Sequence, residues 1–269
     1  MPSLRELKKR LKSAQTIEQL AGAMRSASTA KYMKLSAALS AFTPYSEALA
    51  GISGRADEAA EEPEGRCAMV LVSGNHGLCG GYHHELFAFF SKRVSELEEE
   101  PLVIPCGHKA QEFCRAKKYN VVKSFDIPDA PTYEDAKAVS RYIREELMPS
   151  GGADRVSIVY QRFINMLNSK PVSEEFSVRA PEDAEGGDTL FVPDRETVTG
   201  ELNGLALDSE MYRKLLSASA AAQAATVVAM RSAYDNADAS ITGLETEINR
   251  LRQAAVTASV LETASENKE

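Results

Sequence analysis

The sequence predicts an α/β protein: one long helix at each end of the chain, wrapped around each other as a coiled coil, and an α/β domain between them. Three observations carry this. Residues 3–43 contain no proline and a single glycine, Gly22, and residues 207–263 contain no proline and only Gly243. Between these stretches, short apolar runs ending in turn residues alternate with segments of helical composition. Neither long helix can bury an apolar stripe alone, so the simplest solution pairs them.

The first helix is predicted within residues 1–58. Leu4, Leu7, Leu11, Ala14, Ile17, Ala21, Met24 and Ala27 recur at spacings of three and four, which places them on one stripe. Pro44 fits near its far end only with a kink. The stretch RADEAAEEPEG at 55–65 reads as an acidic linker. The α/β domain is predicted over 66–205. CAMVLVSG (67–74), PLVIPCG (101–107), YNVVKSF (119–125) and RVSIVYQRF (155–163) read as strands of an at least partly parallel sheet. YHHELFAFFSKRVSELEE, HKAQEFCRAKK and YEDAKAVSRYIREEL read as the helices between them. PVSEEFSVRAPEDAEGGDTLFVPD begins as a possible edge strand and continues as an acidic loop. The second long helix is predicted over 206–269. Its first half is Ala-rich, which permits close backbone approach. Its second half places Ile241, Leu244, Ile248, Leu251, Ala255 and Ala258 at alternating spacings of three and four, a coiled-coil seam.

Composition narrows the function classes. The chain has 269 residues, 43% hydrophobic and 26% charged, as a folded globular protein does; Trp is absent, so the core is largely aliphatic. No apolar run approaches the roughly 20 residues of a membrane span, and the N-terminus lacks the apolar core of a signal peptide. The expected location is therefore the cytoplasmic side. Cys67, Cys79, Cys106 and Cys114 form no CxxC pair, which argues against a zinc ribbon or a redox dithiol and for buried free thiols. A net charge of −8 argues against a general nucleic-acid binder. Residues 1–34 nevertheless carry eight basic side chains against only Glu6 and Glu18. A basic end on an acidic protein points to an acidic partner surface.

No catalytic constellation emerges. GNHGLCGGYHHE (74–85) follows a strand and precedes a helix, as a phosphate cradle does, but Gly81 is followed by Tyr82 and His83 where a Walker loop has Lys and Ser or Thr. GxGxxG spacing is also absent, so Gly77, Gly80 and Gly81 are expected to form a tight structural turn. Adjacent His83 and His84 point to different helix faces, and with His76 they gain no carboxylate cluster to make a metal site. Ser73 and Ser157 lack a nucleophile-elbow pattern. No cofactor, metal or direct nucleotide binding is expected.

Three separated segments resemble the gamma subunits of F-type ATP synthases. In the opening helix, Thr16, Leu20, Ala23, Met24, Ala27 and Lys31 occupy the places of that family's "T-x-x-I-T-x-A-M-x-x-V-A" core and following Lys, and TPYSEAL (43–49) is similar to its "R-P-Y". SGNHGLCGG (73–81) resembles "S-x-x-x-G-L-C-G-G", the most specific signature. VAMRSAYDNADASITGLETEINRLRQAAVT (228–257) resembles "V-A-M-x-x-A-x-D-N-A" followed by "N-x-x-R-Q-x-x-I-T", and Tyr160, Phe163 and Asn165 match a weaker motif. Asn75-His76 stand where Asp-Arg is usual, Gly22 where a Lys or Arg is common, and the tail Ser259-Val260-Leu261-Glu262-Thr263 departs from "E-L-x-E-I". The chain is thus identified as a divergent bacterial-type member, with no plastid-type cysteine insert.

The resemblance implies a long antiparallel coiled coil of the N- and C-terminal helices plus a Rossmann-like α/β globular domain. It implies a non-catalytic central-stalk rotor that couples proton or sodium flow to ATP synthesis or hydrolysis at the beta subunits. The implied partners are the alpha and beta subunits of the catalytic hexamer, the epsilon subunit and the c-subunit ring. The implied rotor–stator contacts are Arg252 and Gln253 near the shaft tip, Met24, and the basic face Arg5, Lys8, Lys9 and Lys12. Two other functions stay open on the sequence: a stand-alone coiled-coil adaptor, and an α/β enzyme that binds a phosphorylated ligand at the 74–81 loop.

Overall fold

In the computed structural model, residues 3–56, 65–176 and 195–266 are described. The elements run α1 (Leu4–Ala56), β1 (Cys67–Val72), α2 (Tyr82–Ser95), β2 (Leu102–Cys106), α3 (His108–Lys117), α4 (Tyr133–Arg141) with a following π-helical turn (Tyr142–Leu147), β3 (Arg155–Phe163), β4 (Ser169–Glu175) and α5 (Arg195–Glu266). Contacts divide the chain into two units. One joins the chain up to Ala27 with the chain from Val227; the other is Ser28–Thr226. Most of the predicted acidic linker and all of the acidic loop after β4 lie outside the described residues.

In the first unit, the two helix ends pair in antiparallel fashion. The Arg25 guanidinium lies 5.0 Å from the Tyr234 ring centroid, and a Cβ added at Gly22 would meet that ring at 3.5 Å. Leu7 and Ala21 of α1 are buried, as are Ala237 and Ile248 of α5. The buried stripe is narrower than the sequence predicts. Leu11, Ala14 and Met24 are half-buried, while Leu4 and Ala27 are exposed and Ile17 is 54% exposed. A single partner helix covers only a seam, and here Leu7, Ala14 and Ala21 mark it at a seven-residue repeat. On α5 the seam ends early. Ile241, Leu244 and Leu251 are half-buried, but Ala255 and Ala258, predicted to extend it, are exposed. Leu7 and Ile248 are the buried positions nearest the end of the pair, so Leu4, the first residue of α1, falls opposite about residue 251, and Ala255 and Ala258 lie past it.

In the second unit, a four-stranded sheet has the order β2-β1-β3-β4. β1 runs parallel to β2 (Val70 opposite Ile104) and to β3 (Val70 opposite Ile158), while β4 returns antiparallel (Tyr160 opposite Val172). Side chains alternate across it. Ala68, Val70, Val72, Ile104, Ile158 and Tyr160 enter one core with Val139 and Ile143. Met69, Leu71, Val103 and Val159 enter the other with Leu86, Phe90 and Cys114. Both faces carry helices, as parallel strands require. The possible edge strand is β4.

The predicted strand at 119–125 does not form. It makes only isolated bridges, Val103 with Val121 and Cys106 with Phe125. The cause lies in its neighbour. Val103 N–H donates to Asn120 and Phe125 N–H donates to the Pro105 carbonyl, so Pro105 faces this segment without an N–H to continue the ladder.

Candidate functional site

The carboxyl end of the sheet holds the turn that the sequence singled out. β1 ends at Val72, and the Asn75 side chain ties the loop to two other segments. Its Nδ2 donates to the Ile127 carbonyl (2.7 Å) and to Asp129 Oδ1 (3.2 Å), and its Oδ1 accepts from His108 N–H (3.0 Å) at the start of α3. Lys31 Nζ meets Asp129 Oδ2 at 2.7 Å, and the exposed His76 approaches the same oxygen at 3.5 Å. Burial alone raises the Asp129 carboxyl, but hydrogen bonds from Lys31 and Asn75 hold it below its ordinary value.

The glycine positions divide by need. Gly107, which packs on this loop, has φ +93, and a Cβ there would lie 2.4 Å from the Ser73 carbonyl oxygen. Gly80 adopts φ 58 and Gly81 precedes α2, whereas Gly77 has nothing within 4 Å of an added Cβ. Leu78 adopts φ 63, a conformation that L-residues avoid, and is 60% exposed.

The histidines part company. His83 Nε2–H donates to the His76 carbonyl (3.0 Å), and the ring stacks on Phe87. Burial lowers its pKa, and its Nδ1 is buried without a partner. His84 is exposed, and among the described residues no cluster of His, Cys, Asp or Glu suits a metal ion. The four cysteines are free and buried, and burial pushes their thiols up, to about 12 at Cys106 and Cys114.

A doubly wound sheet binds ligands beyond the carboxyl ends of its strands, where the strand order reverses. Here that point lies between β1 and β3, and α5 packs across it, leaving a small cleft lined by Ser73, Asn75, His76, Asp129, Ser219 and Gln223. Phe163 N–H at the end of β3 donates to Ser217 Oγ (2.9 Å), and the Tyr82 hydroxyl donates to the Ala218 carbonyl (3.1 Å). A Cβ added at Gly74 would touch Ala222 at 3.5 Å. Ala218, Ala220, Ala221, Ala222 and Ala224 are buried, so the Ala-rich stretch is what lets the helix come this close.

Composition gave no warning of a charged cluster one turn earlier on the same face of α5. Lys214, 2% exposed, contacts Glu210 (2.6 Å) and Glu174, with the Tyr160 ring 5.6 Å away. Arg213 forks onto Glu210 (2.6 and 2.8 Å), Ser46 of α1 donates to the same carboxylate (3.3 Å), and Arg162 pairs with Glu174. Helical spacing of Glu210, Arg213 and Lys214 was the only sequence signal.

The remaining predicted positions lie on the paired helix ends. Arg5, Lys8, Lys9 and Lys12 are all exposed, and at 100° per residue they share the face opposite Leu7. Met24 is half-buried. Arg252 and Gln253 are exposed, immediately past the last half-buried seam residue, Leu251.

Comparison with known proteins settles the family. The chain matches the ATP synthase family over residues 3–265. It is 30% identical over 277 residues to the ATP synthase gamma chain of Pelotomaculum thermopropionicum, covering 97% of each chain, and 30% identical over 275 residues to that of Moorella thermoacetica, again at 97% of each. The chain belongs to the ATP synthase gamma-chain family. The gamma-chain fold is equally evident in solved structures. The Euglena gracilis mitochondrial ATP synthase, in an OSCP/F1/c-ring structure, contains a chain with TM-score 0.71 at 17% identity, over 97% of this chain and 92% of that one. The Tetrahymena thermophila mitochondrial central stalk and c-ring gives 0.64 at 17% identity, over 80% and 99%. Gamma chains are non-catalytic stalk subunits, which agrees with a Gly-rich turn that seats a helix. As a gamma chain it is part of an ATP synthase complex, and among the described residues no helix is long and apolar enough to cross a membrane.

Proposed function

We infer that this chain is the central-stalk rotor of an F-type ATP synthase, turned by proton flow through the c-subunit ring and imposing successive conformations on the beta subunits of an alternating alpha–beta hexamer. The observation that carries this is the antiparallel pair of helix ends from which α5 emerges alone, exposing Arg252 and Gln253. Shaft angle then shifts populations among beta conformers that differ in nucleotide affinity. The α/β domain meets the epsilon subunit and the c ring, on the cytoplasmic side of the membrane. Arg252 and Gln253 make and break hydrogen bonds to a beta-subunit loop as the shaft turns. Met24 lies along the same shaft, and Arg5, Lys8, Lys9 and Lys12 face acidic beta surface. Gly80 and Gly81 shape the turn, with Gly77 beside them.

Reconstitution with alpha and beta subunits tests the proposal. The chain should restore ATP hydrolysis to the hexamer, and a bead on the stalk should rotate. An adaptor would bind without restoring turnover. An enzyme of the 74–81 loop would bind nucleotide as the isolated chain, which the missing Lys-Ser/Thr after Gly81 argues against.

A further inference from the structure

α1 is fixed to the α/β domain by more than apolar packing. Leu35 of α1 packs against Leu216 and Ala220 of α5, a contact that sets the spacing of the two helices but does little to stop α1 turning about its own axis. Two directional contacts stand beside it. Lys31, one helical turn before Leu35, reaches Asp129 Oδ2 at 2.7 Å in the segment that leads into α4. The neighbouring Tyr32 sets its ring 5.8 Å from that of Phe163 at the end of β3. Consecutive helix positions point about 100° apart, so no rotation of α1 keeps both contacts.

Asp129 is prepared to receive Lys31. Its side chain is 17% exposed, against 51% for that of Lys31. Asn75 Nδ2 donates to Asp129 Oδ1 at 3.2 Å and to the Ile127 carbonyl at 2.7 Å, while Asn75 Oδ1 accepts from His108 N–H at the start of α3. One carboxylate oxygen is thus fixed by the loop after β1, and the other faces α1. His76, 3.5 Å from that second oxygen, is the weaker neighbour. An acceptor already held from behind loses little freedom when the lysine binds it. The position along α1 matters too. The compact unit that contains the sheet begins at Ser28, so Lys31 and Tyr32 hold α1 within about one turn of where it leaves that unit.

We propose that Lys31 and Asp129, with Asn75 behind them, form a latch that holds α1 to the carboxyl rim of the sheet against rotation, making α1 a second torque-bearing helix beside α5. Lys31 and Asp129 are positioning residues, and their part in bearing torque rests on the rotor function.

Amide hydrogen exchange on the isolated full chain reads the latch itself. Lys31→Gln and Asp129→Asn each break a partly exposed pair, worth up to about fivefold in an equilibrium, so exchange over residues 28–36 should quicken by about two- to fivefold in both, with a melting temperature near that of wild type. The double variant should exchange no faster than either single one, and Lys31→Arg should keep the slow exchange. In the complex reconstituted with alpha and beta subunits, with the hexamer fixed, a bead on the α/β domain should fluctuate over a wider angle in Lys31→Gln and Asp129→Asn than in wild type. Unchanged exchange in both variants, or an effect of Lys31→Gln that Asp129→Asn does not share, overturns the latch. Quickened exchange with a wild-type angular spread overturns the torque-bearing role. If the wild-type chain restores no ATP hydrolysis to the hexamer, the rotor function fails and the torque-bearing role with it, whatever the exchange shows.

Discussion

Lys214→Met is the most informative change for the α/β domain. The substitution keeps an unbranched side chain of similar length but deletes an ammonium that is 2% exposed and set between Glu210 (2.6 Å) and Glu174. Breaking a buried pair by removing one partner costs about 3–5 kcal/mol, because a charge is left without compensation. Arg213 still forks onto Glu210 and Arg162 still reaches Glu174, so the lower end applies, about 3 kcal/mol. At roughly 2–4 °C per kcal/mol for a chain of this size, the melting temperature should fall by about 6–12 °C. The pH profile identifies the cause. Burial raises Glu210, but hydrogen bonding from Arg213 and the charge of Lys214 hold it down to about 2. A depressed carboxylate contributes stability that is present above its unfolded pKa and lost as pH falls toward 2, and Lys214→Met should flatten that acid limb. A double-mutant cycle with Glu174→Gln should recover part of the loss. A Lys214→Met protein within about 1 kcal/mol of wild type, with an unaltered pH profile, would refute the assignment.

Other expectations are equally direct. Asn75→Asp replaces two donated hydrogen bonds with a carboxylate facing Asp129 and should cost about 2–4 kcal/mol by chemical denaturation at pH 7, with the penalty shrinking below about pH 4, where one carboxyl is protonated. Gly107→Ala forces a Cβ to 2.4 Å from the Ser73 carbonyl and should cost about 3 kcal/mol, whereas Gly77→Ala should stay within about 0.5 kcal/mol; equal melting temperatures would contradict the turn geometry. Arg252→Ala and Gln253→Ala should leave chain stability and assembly intact yet slow ATP turnover of the complex more than Glu245→Ala does, since a charge-assisted hydrogen bond is worth roughly 1.5–3 kcal/mol. Single Ala changes at Arg5, Lys8, Lys9 or Lys12 should do little, while reversing all four to Glu should impair coupling at low salt; normal coupling would mark a merely solvated face.

Much of this fold is legible in the sequence because it is periodic. The strands at 67–74, 101–107 and 155–163 are apolar runs bounded by turn residues, and the helices keep 3.6-residue spacing. Spacings of three and four admit any residue on a broad arc, so they predict a wider seam on α1 than the structure has. Ile17 belongs to that arc, but one partner helix cannot reach it. The strand at 119–125 fails on Pro105, a residue of its neighbour, which no local pattern in YNVVKSF announces. Of the candidate sites, the Gly-rich turn is visible as a motif, but the role of Asn75 depends on Ile127, Asp129 and His108, up to 54 positions away. The Lys214 cluster depends on β4 and α1 closing around one turn of α5, and its members are unremarkable charges in the sequence.

The relation between the Gly-rich turn and α5 explains why a sheet of this type need not hold a ligand. At the strand-order reversal the crevice exists to be filled, and a helix fills it well only if its own backbone can come near. Ala218, Ala221 and Ala222 supply the near side and Gly74 the far side, where an added Cβ would already be in contact. Packing of small residues alone would let the helix slide or turn about its axis. Two hydrogen bonds oppose this, from Phe163 N–H to Ser217 Oγ and from the Tyr82 hydroxyl to the Ala218 carbonyl. They come from β3 and α2, on separate segments, and land on consecutive residues about 100° apart around the helix. Rotation about the α5 axis cannot keep both. The same α5 continues as the helix that pairs with α1 and carries Arg252 and Gln253, so a torque on it is resisted in the domain by named bonds as well as by packing. For a rotor, a helix keyed to its sheet serves the function that a bound nucleotide serves in other proteins of this architecture: it occupies the crevice, and the sheet holds it in one orientation.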